Sequence, residues 1–455
     1  DLPGVVIEAQ AVRDYPNKEI AGHMLGYISE INEEALKKRK ELDYRSGDLI
    51  GQSGLEKFYD IELRGERGGS QIEVDVTGRP INVLGKKNPT PGLNLKLTVD
   101  IKLQRAMENA VDDHLKYLKL TGVDTQGVAV VALDPRNGKI LGMVSRPVFN
   151  PNFFATGISQ KEWDKLRNNP FDPMTNKVIS GEYPPGSPFK VVAGLAALEE
   201  KKVTPEEKYF DGGSHPLAKE KGNAGGAALG WIDLRRAIQK SDNVFFYEMG
   251  YRLGINTISK YARMFGMGSK TGIDLAGESE GLVASREYKK KALENDDWYI
   301  VETMDATIGQ GFQLSTPIQM AQMISMIANG GIKYKPYLVE QLTDNDGNVV
   351  KQIEPHIIEK YQFSQANLNF IREAMYSTTI EDGNAVGILG DFPKKIGAKT
   401  GTSENSHGRD HSWFVAYGPH ENPEIVVVVL VEQGGYGAVA AGPIARKVLD
   451  SYFGL

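Results

Sequence analysis

From Ile425 to Val431 the chain reads IVVVVLV, β-branched at every position except Leu430. β-Branched side chains crowd a helix and fit a pleated sheet. The run is far shorter than the ~20 apolar residues that cross a bilayer, so it predicts a buried strand. HSWFVAYGP and KKIGAKTGTS upstream read as two more strands, and GPIARKVLDSYF downstream as a helix. Earlier, GVAVVALDPRNGKILGMVSRP predicts a hairpin turning at Arg136-Asn137-Gly138, where Asn-Gly favours a tight turn. LKLTVDIKLQRAMENAVDDHLKYL passes from a short strand into a long amphipathic helix, and a largely helical middle runs from about Lys161 to Asn329. Strands outside and helices in the middle predict an α+β unit, one sheet packed with helices.

The 455 residues allow two or three domains, and residues up to about Gly92 read as one unit, with a second starting near Leu95. The first contains SQIEVDVTGRPINVLG, a hairpin expected to turn at Thr77-Gly78-Arg79-Pro80, and ends in the linker KKNPTPGLN, Lys86 to Asn94. The chain opens at Asp1 inside a strand-like pattern, with no signal peptide or membrane helix, and so reads as a fragment of a longer protein. Cysteine is absent, which removes disulfides, thiolate metal sites and cysteine nucleophiles together. A net charge of −6 argues against a nucleic-acid partner.

GEYPPGSPFKVVAGLAALEE, Gly181 to Glu200, sets a hydroxyl and an amine at the mouth of a helix. Pro188 suits the first helical turn, which predicts Ser187 at the N-cap, beside the free N–H groups and the positive dipole end. Lys190, three residues on, shares that face. A serine oxygen attacks once a base has removed its proton, and an amine kept neutral by an apolar pocket can be that base. S-x-x-K alone is a weak signal, and an ordinary capping serine with a surface lysine explains most instances. Here the pattern occurs once and heads a helix that reads as buried.

Lys240-Ser241-Asp242-Asn243 lies between the helical patterns IDLRRAIQ and VFFYEMGYRLG, where a break can aim a hydroxyl and an amide into a cleft. Alone it is better read as a cap or turn. Lys-Thr-Gly occurs twice. Lys270-Thr271-Gly272 reads as a helix exit, whereas Lys399-Thr400-Gly401 ends IGAKTGTS ahead of two strands. On an edge strand it offers a cation, close backbone approach and hydroxyls for a carboxylate, and an extended peptide can pair beside it. Ser187-x-x-Lys190, Ser241-x-Asn243 and Lys399-Thr400-Gly401 stand in the order of the penicillin-recognising serine acyltransferases.

The resemblance is closer than that superfamily. HMLGYISEIN, GQSGLEKFYDIELRG, YPPGSPFK, TGIDLAGE, IGQGFQLSTPIQMA, AKTGTS and RDHSWFVAYGP resemble the class B penicillin-binding proteins of the elongation type, across almost the whole chain. The resemblance implies a penicillin-recognising transpeptidase domain over 93–455, an antiparallel sheet packed with helices plus a helical subdomain, and a partial non-catalytic pedestal over 1–92. It implies a peptidoglycan D,D-transpeptidase in which Ser187 attacks the carbonyl between the last two D-alanines of a stem peptide. Lys190 takes its proton, and the backbone N–H groups of Ser187 and Thr402 form the oxyanion hole. Ser241 relays a proton to the leaving D-alanine and Asn243 holds the substrate amide. Lys399 raises the positive potential, Thr400 and Thr402 bind the terminal carboxylate, and Gly401 and Ser403 complete the substrate-binding strand. An amine from a neighbouring stem peptide resolves the acyl-enzyme into a cross-link, and β-lactams acylate the same serine. The implied partners are a SEDS-family (RodA-type) glycan polymerase and an MreC-type activator. The implied location is the extracytoplasmic, periplasmic side of the bacterial cytoplasmic membrane, with a single N-terminal anchor expected outside this chain. No cofactor is implied.

Other features carry less. DGGSHPLAKEKGNAGGAALG, Asp211 to Gly230, lacks the cysteine of a metal site found among some relatives, and with seven scattered histidines no zinc is expected. His407 and His411 flank Gly408-Arg409-Asp410 in what reads as a polar loop. TDNDGNV, Thr343 to Val349, reads as a turn rather than a calcium loop. A D,D-carboxypeptidase or β-lactamase would use the same nucleophile with water as acceptor; the N-terminal unit and the long interval between Asn243 and Lys399 argue against so compact a hydrolase. A penicillin-sensing receptor or a regulatory scaffold is the remaining alternative, and the complete motif set disfavours an idle scaffold.

Overall fold

The computed structural model describes residues 12–455 apart from 75, 77–79, 295–296 and 406–407. Its central sheet contains β1 (Val128–Leu133), β2 (Ile140–Arg146), β3 (Gly397–Ser403), β4 (His411–Gly418) and β5 (Ile425–Val431), antiparallel in the order β3-β4-β5-β1-β2. IVVVVLV is the middle strand, fully buried along its length. Its alternation feeds two cores: Val426, Val428 and Leu430 join one, Val427, Val429 and Val431 the other.

The second of these cores is closed by α1 (Ile101–Leu120) and by the C-terminal helix Gly442–Phe453. The first receives α2 (Lys190–Glu199), α3 (Leu234–Lys240), α4 (Asn243–Met264) and α5 (Pro317–Ala328). The expected hairpin is β1–β2, with Gly138 at φ +83° completing its turn. The motif Lys399-Thr400-Gly401 lies on β3, at the open edge of the sheet.

The middle of the chain is not wholly helical. Tyr209–Asp211 pairs with Gly230–Ile232, and Ser214–His215 with Ala218–Gly222, between α2 and α3. Each glycine in a helix interior costs about 1 kcal/mol against alanine, and this stretch is too rich in glycine for a helix. TDNDGNV is a turn between Val339–Thr343 and Val349–Gln352: the Asp344 carboxylate accepts from Asp346 N, Asn348 N and Asn348 Nδ2.

In the first unit Gly69–Val74 pairs with Pro80–Lys87, and the expected turn at 77–79 lies outside the described residues. Asn94–Leu97 already pairs with Val339–Thr343 of the second unit. Met24, Leu55 and Tyr59 enter the main core. Tyr59 Oη donates to Asp274 Oδ2 at 3.0 Å, and the same carboxylate accepts from Leu338 N and Val339 N. The two units are therefore joined by both apolar packing and buried polar contacts. No helix among the described residues is long and apolar enough to cross a membrane.

Candidate active site

Ser187 opens a single 3₁₀ turn, Ser187–Phe189, that runs straight into α2. The expected N-cap assignment is corrected: Gly186 caps this turn. Gly186 takes the entry bend at φ +58°, where a side chain would be strained, and Pro188 then carries the turn on with its fixed φ. A 3₁₀ turn eclipses residues i and i+3, so Ser187 and Lys190 lie on one face. Ser187 is half-buried and Lys190 has no exposed surface.

Two neighbours hold this segment. Gly186 N donates to Gly309 O at 2.9 Å, and a Cβ on Gly309 would overlap Gly186 O. On the other side a Cβ on Gly401 would meet Pro188 Cδ at 2.5 Å, and one on Gly186 would meet Thr402 O at 3.2 Å. Glycine at 401 thus lets Pro188 sit directly on β3. Trp413 Nε1, from β4, donates to Pro184 O at 2.9 Å.

The second motif occupies the break between α3 and α4. Ser241 ends α3 in the left-handed region at φ +60°, and Asp242 caps α4 by accepting from Phe245 N at 2.6 Å. Lys190 Nζ donates to Ser241 O at 2.8 Å and to Asn243 Oδ1 at 2.6 Å. Lys399 Nζ donates to Ser241 Oγ at 2.7 Å and to Thr400 O at 3.0 Å. Ser241 is thus shared by the two lysines, one through its carbonyl and one through its hydroxyl. Helix, helix break and edge strand meet at one residue.

Thr402 O accepts from Gln310 Nε2 at 3.5 Å and Thr400 O from Lys399. In an antiparallel ladder alternate residues turn both backbone groups the same way, so Thr400 and Thr402 present N–H and C=O at the free edge. Thr400 and Thr402 are half-buried, while Ser403 is fully buried and its hydroxyl has no hydrogen-bond partner among the described residues. Gln310 lies within IGQGFQLST, where nothing in its spacing marks it as part of the site.

Burial pulls the Lys190 amine down to about 7, opposed by the Asp242 carboxylate. Asp242 is itself pushed up to about 6, first by burial and then by the neighbouring Asp211. Burial, then the Lys190 charge, holds Lys399 well below the usual range. Two buried amines around one serine disfavour carrying two protons.

The remaining expectations separate from this cluster. Lys270-Thr271-Gly272 is an independent turn, with Thr271 N donating to Glu278 Oε1 at 2.6 Å. His411 Nδ1 accepts from Gln433 N at 3.1 Å, and its ring meets Tyr183 edge-on; His407 lies outside the described residues. Among the described residues no group of three His, Cys, Asp or Glu side chains is arranged to hold a metal ion.

Two family models cover most of the chain: the penicillin-binding protein transpeptidase domain over residues 128–450, and the penicillin-binding protein dimerisation domain over 1–97. The chain belongs to the penicillin-binding protein transpeptidase family. This penicillin-binding protein is 33% identical to peptidoglycan D,D-transpeptidase MrdA of Escherichia coli K12, over 99% of this chain and 72% of that protein. Among solved structures, a chain of a peptidoglycan synthase complex, described for its coordination of polymerization and crosslinking, superposes with a TM-score of 0.85. It is 35% identical and the match covers 97% of this chain and 76% of that one. Penicillin-binding protein 2 of Helicobacter pylori, solved in complex with MreC, gives a TM-score of 0.83 at 28% identity, covering 97% and 79%. The expected transpeptidase fold with an N-terminal pedestal unit is therefore the fold of this penicillin-binding protein.

Proposed function

We infer that this chain is a peptidoglycan D,D-transpeptidase of the elongation type, cross-linking stem peptides through an acyl-enzyme on Ser187. The observation that carries the reading is the meeting at Ser241 of Lys399 and of Lys190, which itself lies one turn along the chain from Ser187. Neutral Lys190 takes the Ser187 proton as Oγ attacks the penultimate D-alanine carbonyl. The N–H groups of Ser187 and Thr402 receive the oxyanion, a contribution of about 10²–10³ in rate per donor. The C–N bond then breaks, and Ser241, hydrogen-bonded to Lys399, hands a proton to the leaving D-alanine nitrogen. The Ser241 hydroxyl is restored through Lys399 by the proton that Lys190 took, which leaves Lys190 neutral again.

The substrate's terminal carboxylate lies against Thr400 and Thr402, beside Lys399. Its negative charge favours the proton on Lys399 and so leaves Lys190 neutral. Gly401 lets the backbone approach closely, and the extended donor peptide pairs along the free edge of β3. Asn243 holds the substrate amide, its own carboxamide oriented by Lys190 on one side and Gly222 O on the other. An acceptor amine then attacks the ester carbonyl; its C–N bond forms, the bond to Ser187 Oγ breaks, and the amine proton returns to the serine.

The pairing of Asn94–Leu97 with Val339–Thr343 favours a domain boundary between residues 92 and 93. β-Lactams would acylate Ser187 in place of the stem peptide. By likeness to the synthase and MreC complexes, the partners are a glycan polymerase and an MreC-type activator, at the periplasmic side of the membrane.

The test supplies a D-Ala-D-Ala-ended stem peptide with an amine acceptor and follows both products by mass spectrometry. Release of D-alanine matched by cross-linked peptide is expected. Release matched only by shortened peptide would make the chain a carboxypeptidase.

A further inference from the structure

We propose that Asn223 is a positioning residue of the transpeptidase site, fixing through one carboxamide both the backbone of the second motif and the carboxylate beside Lys190. The proposal rests on the roles given above to Ser187 and Lys190.

The glycine-rich ribbons of residues 209–232 lie between α2 and α3 in the chain, and Asn223 directly follows the strand Ala218–Gly222. Asn223 Oδ1 accepts from Asn243 N at 2.6 Å. Its Nδ2 lies 2.8 Å from Asp211 Oδ2, 2.9 Å from Ala227 O and 3.2 Å from Asp242 Oδ2. Asp211 and Asp242 are both fully or almost fully buried, and the amide is a donor held between their carboxylates. Asp211 accepts further from Gly213 N and Leu229 N, so its oxygens are committed to the ribbons.

The residues before it work in the same direction. Gly222 O accepts from Asn243 Nδ2 at 3.1 Å, which turns that side chain's Oδ1 toward Lys190 Nζ. Lys221 Nζ pairs with Asp305 Oδ1 at 2.6 Å, tying the ribbon to the helix Ile300–Thr307. Gly222 and Asn223 therefore clasp the second motif, Lys221 anchors them to a neighbouring helix, and Asn223 also donates toward Asp242. A buried carboxylate stays ionised only where donors satisfy it, and the Asp242 charge in turn favours a proton on Lys190.

The charged and titratable surroundings are these. Asp242 faces Asp211, Lys190, Tyr209 and Tyr247; Lys190 faces Asp242, Lys399 and the Phe246 ring. Asp305 and Glu404 act on Tyr247, and Glu248 and Arg252 on Tyr209.

The two informative variants move the site in opposite directions. Asn223→Ala removes the donor, weakens the Asp242 charge and leaves Lys190 with less counter-charge. The acid limb of the acylation rate then moves to lower pH. Asn223→Asp is nearly isosteric, adds a third carboxyl and moves that limb to higher pH. Both slow acylation, by about tenfold or more if a hydrogen bond to a charged group is lost.

The experiment measures acylation by a chromogenic β-lactam against pH in both variants, with thermal melting to confirm the fold. Opposite displacements of the limb are the expected result. Should Asn223→Ala not fold, the upward displacement in Asn223→Asp alone decides. Rates within about twofold of the native protein, or slower rates with the limb unmoved, would overturn the proposal. Labelling that survives Ser187→Ala would instead remove the reading on which it rests.

Discussion

Ser241 concentrates the chemistry of the site into one residue, because its carbonyl faces one lysine and its hydroxyl the other. Ser241→Ala removes only the hydroxyl contact; the expected outcome is a rate loss of about 10²–10⁴, typical of general acid–base groups, with β-lactam label still found on Ser187. The pH dependence follows from burial. The Lys190 amine is lowered to about 7, so it is neutral and able to accept a proton above that value and occupied below it. The acylation rate therefore falls as pH drops through about 7, and a rate unchanged through that range would exclude Lys190 as the base. The motif residues were legible because three short patterns occur in one order. Asn223 and Gln310 were not, since each is a single amide in a distant segment, with no spacing that ties it to Ser187 or Thr402.

At the scale of elements, the site depends on glycines that let backbones touch. Gly401→Ala would drive a Cβ into Pro188 Cδ at 2.5 Å and Trp413 Cβ at 3.0 Å. Overpacking of this kind costs about 1–3 kcal/mol, and here it displaces the 3₁₀ turn that bears Ser187. Slow acylation with a modestly lowered melting temperature is expected; native kinetics would show that the turn does not rest on β3. The sheet was readable because IVVVVLV alternates between two apolar cores. The capping detail was not, because Gly186 and Ser187 are both good N-cap residues and only the backbone angle separates them. The ribbons at 209–232 were hidden by strands of two to five residues, too short to show a period.

For the whole molecule, the first unit and the transpeptidase unit share a buried seam. His23 lies in it, its Nε2 2.8 Å from Pro173 O and its ring edge-on to Phe149. Burial lowers His23 from 6.5 to about 4, so the folded protein keeps it neutral. As pH falls from 6.5 toward 4 the unfolded chain gains a proton that the fold refuses, and about 3 kcal/mol of stability is lost. Melting followed across that window, with His23→Gln as the comparison, should show a steeper loss in the native chain; parallel curves would contradict it. The sequence divided the chain near residue 92, but this seam joins residues far apart in order, and no local pattern announces it. The central claim is that three distant motifs make Ser187 an acylated nucleophile. Fluorescent penicillin followed by peptide mass mapping tests it most directly. The adduct is expected on the peptide containing Ser187 and absent in Ser187→Ala; an adduct on another peptide, or undiminished labelling of that variant, would contradict the claim.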